Sequence, residues 1–161
     1  MEDMRKRITG QRSADTLVDS DQDWLNLEQI ATVEVSSEDP AFPVESVFLP
    51  GKGPGWRAAQ PGEQHIHIIF DEPVTLRRIQ LRFREPERER TQQFTLRWSP
   101  AKGGQVLDIV RQQWNFSPAG STTEHEDYVV ALDAVAVLEL AIQPDLDRQE
   151  AVATLQSWRV A

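Results

Sequence analysis

The chain has 161 residues, 39% hydrophobic and 27% charged, which is enough for one domain of ordinary size with a real core. It holds no cysteine, which excludes a disulfide framework and thiolate metal sites, and no apolar run approaches the roughly 18 residues needed to span a bilayer. The formal net charge of −9 disfavours nonspecific nucleic-acid binding, because counterion release needs a concentrated basic surface.

That charge is unevenly spread. Residues 1–51 carry 4 basic and 11 acidic side chains and residues 112–161 carry 2 and 8, whereas residues 52–111 carry 11 and 7. A local basic patch is therefore open to the middle of the chain, although mixed charge on a solvated strand face explains the same counts. Met1 to Gln11 has basic residues with no apolar stretch after them, which is not the pattern of a secretory signal. A soluble, cytoplasmic chain is the expectation.

Residues 1–23 contain 10 charged side chains and no sustained period of 3.6 or 2, so they read as a disordered polar tail. Trp24, Leu25, Leu27 and Ile30 form the first cluster with core potential. The folded domain is placed at residues 24–161, with Trp24 anchoring the tail; a short helix from Asp15 to Leu27 is the alternative.

From there the pattern is β. Thr32 to Ser36 alternates, with Val33 and Val35 on one side. Ser37 to Gln64 follows as one long interruption, holding five of the ten prolines and four of the eight glycines, with room for a single helical turn from Pro43 to Phe48. A long loop in a compact domain tends to be functional. Gln64 to Phe70 reads as a strand that turns Ile66, Ile68 and Phe70 inward.

Leu76 to Arg84 alternates strictly. Ile79, Leu81 and Phe83 face the core, and Arg78, Gln80, Arg82 and Arg84 face solvent or a partner. Arg84 to Arg90 reads as a charged, solvated hairpin tip. Phe94, Leu96 and Trp98 repeat the alternation, and Val106–Phe116, Asp127–Leu132, Val135–Ile142 and Ala151–Val160 supply further strands. Many short strands punctuated by glycine and proline indicate an all-β antiparallel sandwich or barrel.

The order of these features resembles a known family. The series runs Ser36-Ser37, Pro43-Val44-Glu45-Ser46-Val47-Phe48, Gly55-Trp56-Arg57-Ala58, then the strand Ile66–Phe70 and Glu72-Pro73-Val74-Thr75-Leu76-Arg77-Arg78-Ile79. Phe94-Thr95-Leu96-Arg97-Trp98-Ser99 follows, and a closing strand from Ala151 to Val160 ends it. In this order they are similar to the discoidin or coagulation factor type C domains, the galactose-binding-like jelly rolls, over roughly residues 28–161. Within that superfamily, Gly55 to Glu63 also resembles a stretch of the N-terminal domain of the single-strand-break repair scaffold of animals.

The resemblance implies a noncatalytic module that holds a glycan with the loops at one end of a jelly-roll sandwich. The loops so implied are Pro50 to Arg57, Arg84 to Arg90 and Ser117 to His125. The ligand-binding candidates are Lys52, Trp56, Arg57, Arg88, Trp114 and His125, with Lys52 and Arg57 as donors to hydroxyls. In the family the loop before the Trp often holds calcium through an acid. Here Leu49 stands at that position, which disfavours the ion.

Of the five Trp, the pattern assigns Trp98 and Trp158 to the core, Trp56 beneath the loop end, and Trp114 to the most exposed place. His65 and His67 share one side of a strand at a spacing that suits zinc or copper, with His125 beside Glu124, Glu126 and Asp127 as a completing group. With no cysteine and no fixed third ligand, simple occupancy of a sheet face is the preferred account of them.

No nucleophile elbow, P-loop or His-Glu-x-x-His occurs, and the prolyl nitrogen of Pro54 interrupts the Gly51–Gly55 run, so no catalytic residue is assigned. Two other functions compete with glycan binding. One is an intracellular protein-interaction scaffold, which would show a large exposed apolar patch. The other is nucleic-acid binding through the arginines between Arg77 and Arg97, against which Glu85, Glu87 and Glu89 count.

Overall fold

The structure is a computed structural model that describes residues 23–49 and 53–161. The expected polar tail and Lys52 lie outside the described residues, apart from Asp23.

Eight strands and one short helix follow in order. They are α1 (Leu27–Ile30), β1 (Ala31–Val35), β2 (Trp56–Arg57), β3 (Gln64–Arg84), β4 (Arg90–Ser99), β5 (Leu107–Phe116), β6 (Thr123–Gln143), β7 (Thr154–Leu155) and β8 (Ser157–Val160). A 3-10 turn at Val44–Phe48 sits in the long connection, where the sequence leaves room for one. All pairings are antiparallel, in the order β1-β3-β6-β4-β5, with β8 also on β3 and β2 paired to β7.

The sequence splits β3 into two strands, and β6 likewise. In the structure each runs unbroken for 21 residues, because Pro73 sits in a bulged stretch and does not end the pairing. Register shifts at Ile69/Val74, Val74/Leu76 and Leu76/Arg78 bend the long β3–β6 pair. The first half of β3 pairs with β1 and the second half of β6, while its second half pairs with β8 and the first half of β6. The bend thus lets one pair of strands serve both layers of a sandwich, the way corner strands do in jelly rolls.

The bulges also shift the phase of burial. Along β3 the buried side chains are Ile66, Ile68, Phe70 and Leu76, then Ile79, Leu81 and Phe83, so the inward set passes from even to odd numbers between Leu76 and Ile79. Both halves reach one core, shared with Phe94, Leu96, Phe116, Leu138, Leu140, Ile142, Trp56 and Trp158. Burial of these apolar faces is what holds the layers together, at roughly 25 cal/mol per Å² removed from water.

Three expectations need correction. Gln80 is buried rather than facing solvent, because Arg159 Nη2 donates to its Oε1 at 2.7 Å and Asp127 accepts from its Nε2 at 3.4 Å. Arg90 is also buried, not part of a solvated tip. Trp114 is half-buried against the core, and its indole nitrogen is enclosed. Trp24 lies under two guanidinium groups, Arg159 at 4.5 Å and Arg78 at 5.4 Å from its ring, and the neighbouring Leu25 N–H donates to Val160 C=O. These contacts fasten the start of the domain to the outer face of β3 and β8.

Candidate functional site

At one end of the sandwich the β2–β7 ribbon, the end of β3 and the turn after it surround a cleft of about 240 Å³. It is lined by Phe42, Trp56, Arg57, Arg84, Glu85, Glu87 and Gln156, among others. Two of the three loops expected to meet at this end, those containing Arg57 and Arg84–Arg90, do border it.

A tight turn starts the site. Gly55 has φ 89°, and a side chain there would place Cβ 2.7 Å from the Leu155 carbonyl oxygen. Only glycine allows this approach, which lets Trp56 pair with Leu155 and Arg57 with Thr154. Trp56 is 1% exposed, and its indole N–H donates to Ser37 C=O at 3.0 Å. It forms a fixed floor and does not offer its ring face. Arg57 N–H donates to Phe42 C=O, and the Arg57 guanidinium stacks over the Phe42 ring at 4.3 Å. Stacking occupies the face of the guanidinium and leaves its in-plane N–H donors for a ligand.

The opposite wall rests on Arg90. Its Nε donates to Glu85 Oε1 at 2.8 Å, Nη1 to Pro144 C=O at 2.8 Å and Gln92 Oε1 at 3.0 Å, and Nη2 to Thr154 Oγ1 at 3.3 Å. The other Glu85 oxygen accepts from the Glu87 and Arg88 amides, both at 3.1 Å. Burial pushes the Glu85 carboxyl up, but the Arg90 bond and these amides outweigh it and hold the group below its ordinary range. The turn is rigid as a result, and both Glu85 oxygens are engaged within it. Arg84 and Arg57 are exposed, and neither forms an ion pair among the described residues.

The other sequence candidates lie elsewhere. Arg88 is exposed on the same turn but does not line the cleft. Trp114 sits on β5 opposite Gln92, with its ring against the core. His125 is on the outer face of β6, opposite Arg82. Phe42 and Gln156, which the sequence reading did not single out, belong to the cleft; the only signal for Phe42 was its position in the proline-rich loop.

His65 and His67 share a sheet face, as expected, and both face Glu139 Oε2, at 3.1 and 3.3 Å. They belong to a row that crosses five strands and alternates carboxylates with basic side chains: Glu34, His67, Glu139, Arg97 and Asp108. Cross-strand pairing of carboxylates with imidazole and guanidinium side chains accounts for this row. His125 is on the far half of β6 and does not complete a metal site, and among the described residues no three His, Cys, Asp or Glu cluster as metal ligands. Leu49 caps the 3-10 turn through its backbone and brings no carboxylate. Glu45 is exposed beside a second, apolar hollow lined by Leu27, Val33, Val44 and Phe48. The described residues therefore do not fit a calcium ion, which wants several oxygen ligands.

No protein-family model and no curated relative matches the sequence. Solved structures do. A Ruminococcus gnavus GH29 fucosidase in complex with fucose superposes with TM-score 0.65 at 10% identity, over 84% of this chain and 26% of that one. The chain thus spans about a quarter of that enzyme. The CBM32 of AlyQ in complex with 4,5-unsaturated mannuronic acid gives 0.64 at 11% identity, over 87% of this chain and 98% of that one. A pectin-binding carbohydrate-binding module gives 0.59 at 17% identity, over 82% and 90%. These likenesses show a shared fold, the antiparallel jelly-roll β-sandwich that the sequence resemblance implies.

Proposed function

We propose that this chain is a noncatalytic carbohydrate-binding module that holds a sugar in the cleft at the loop end of the sandwich. The observation that carries this reading is the cleft itself. A polar hollow with Arg57 and Arg84 as unengaged donors sits on a floor and wall fixed by Trp56 and Arg90. Rigid placement of donors lowers the cost of ordering a site around a hydroxylated ligand. Its small volume suits one sugar ring more than a long stretch of chain. Structural neighbours that are themselves carbohydrate-binding modules, one of them pectin-binding and one seen with a mannuronic acid derivative, favour this class of ligand.

The cleft lacks what glycosidic cleavage needs. Two carboxyl groups must flank the bond with oxygens free to move a proton or attack carbon. Glu85 is committed to Arg90 and two amides, which leaves Glu87 as the one free carboxylate of the lining.

The scaffold alternative has less to stand on. The large apolar side chains exposed among the described residues, Val106, Leu107, Val129 and Leu146, lie on three separate segments. Affinity electrophoresis through gels containing soluble polysaccharides tests the proposal. Retardation by at least one glycan, abolished by Arg57→Ala, is the expected result; unretarded migration in neutral and acidic polysaccharides alike refutes it.

A further inference from the structure

We infer that the sugar held in this cleft is an acidic one, a uronate whose carboxylate is taken by Arg57 and Arg84. The inference rests on the carbohydrate-binding reading and adds the charge of the ligand to it.

Among the described residues, four charged side chains line the cleft: Arg57, Arg84, Glu85 and Glu87. Glu85 is neutralised from behind by the buried Arg90, and both its oxygens are occupied. Its charge is therefore cancelled outside the cleft, and it does not pair with either lining arginine. Two guanidinium groups remain against the single carboxylate of Glu87, so the lining presents a net positive charge to a ligand. This holds although the chain as a whole is strongly acidic, with a net charge of −9.

Among the described residues, neither lining arginine is spent on an ion pair of the protein's own. Arg78, Arg90 and Arg97 are each paired to an acid, Asp127, Glu85 and Asp108. The exposed Arg82, Arg88, Arg111 and Arg148 also form no ion pair among the described residues, so a shared place in the cleft is what sets Arg57 and Arg84 apart. Arg57 is held by the Phe42 ring at 4.3 Å, which fixes the plane of its donor fork without consuming the donors. A planar fork with free in-plane N–H groups matches a carboxylate with two parallel bonds, whereas a neutral hydroxyl accepts only one such bond and without charge assistance.

Titration calorimetry on the full chain tests this with four trisaccharides. Trigalacturonate and trimannuronate are each compared with their carboxyl-reduced counterparts, which keep the ring and linkage and lose the charge. At least one acidic trisaccharide is expected to bind about tenfold or more tightly than its reduced form, since hydrogen bonds to a charged group are the stronger kind. That preference should weaken as salt is raised, and should narrow in Arg57→Gln and Arg84→Gln. Arg57→Lys, which keeps the charge and loses the fork, should retain part of it. Equal affinity for acidic and reduced forms, with both lost in the arginine variants, overturns the acidic ligand and leaves the cleft as a sugar site. No binding of any of the four overturns the acidic ligand and leaves the sugar reading to the polysaccharide gels, whereas binding that neither arginine variant alters overturns the cleft as the site.

Discussion

Gln92 Nε2 donates to Glu124 Oε1 at 3.1 Å, and both side chains are fully buried between β4 and β6. Through Gln92 Oε1 the same contact extends to Arg90, and from Arg90 to Glu85 at the wall of the cleft. A buried polar chain thus joins the interior of the sandwich to its loop end.

Burial, reinforced by the bonding and charge of nearby Glu126, raises the Glu124 carboxyl to about 9, against the lowering influence of Gln92 and Arg90. Glu124 is therefore protonated in the folded protein at neutral pH, while the unfolded chain, with a value near 4.5, has released that proton. The unfolded state binds fewer protons across this window, so stability falls as pH rises from about 4.5 to about 9. Glu124→Gln keeps the shape and removes the titration. Thermal melts should show the variant gaining on the parent through that window, with little difference near pH 4.5. A constant gap at every pH would contradict the assignment.

Arg90→Met should cost about 3 to 5 kcal/mol in urea unfolding, because it leaves the Glu85 carboxylate half-enclosed without its cation. The double variant Arg90→Met with Glu85→Gln should recover part of that loss. A double variant as unstable as the single one would show that the ion pair is not the source.

Gly55→Ala combines a positive φ of 89° with a Cβ placed 2.7 Å from a backbone oxygen. Gly62 has φ 95° but open space around it, so Gly62→Ala meets backbone strain alone. Gly62→Ala should cost about 1 kcal/mol, and Gly55→Ala clearly more, about 2 to 3 kcal/mol, with loss of the β2–β7 pairing. Equal costs for the two would mean that the turn shifts without consequence.

Near the end of β3, Phe83→Ala should cost about 3 to 5 kcal/mol, since Phe83 is 0% exposed and its ring stacks with Phe94 at 5.2 Å. Arg82→Ala, next to it but exposed, should stay within about 0.5 kcal/mol. Comparable costs would contradict the register.

The strands were legible because their apolar residues alternate: Ile66, Ile68, Phe70 and Ile79, Leu81, Phe83. Their continuity was not, since a proline and acidic residues between two such runs look the same whether the chain turns or bulges. The buried polar chain was missed for a related reason. Arg90 and Gln92 stand in phase with Phe94 and Leu96, so period two places them inside, but their polarity and the charged residues before them suggested a solvated tip. Burial of such groups follows from partners that only the fold brings together, here Glu85 and Glu124. The cleft was legible at Arg57 and in the loop carrying Arg84, which the family resemblance located. Phe42 and Gln156 join it through the β2–β7 ribbon, and two-residue strands leave no period to read.

The central claim is that a sugar occupies the loop-end cleft, and backbone amide NMR shifts on titration with trigalacturonate test it most directly. The account predicts that the shifted amides cluster at Phe42, Trp56, Arg57, Glu85, Glu87 and Gln156, with the sheet face of His65, His67 and Arg97 unmoved. Shifts confined to that sheet face, or scattered without a centre, would contradict it.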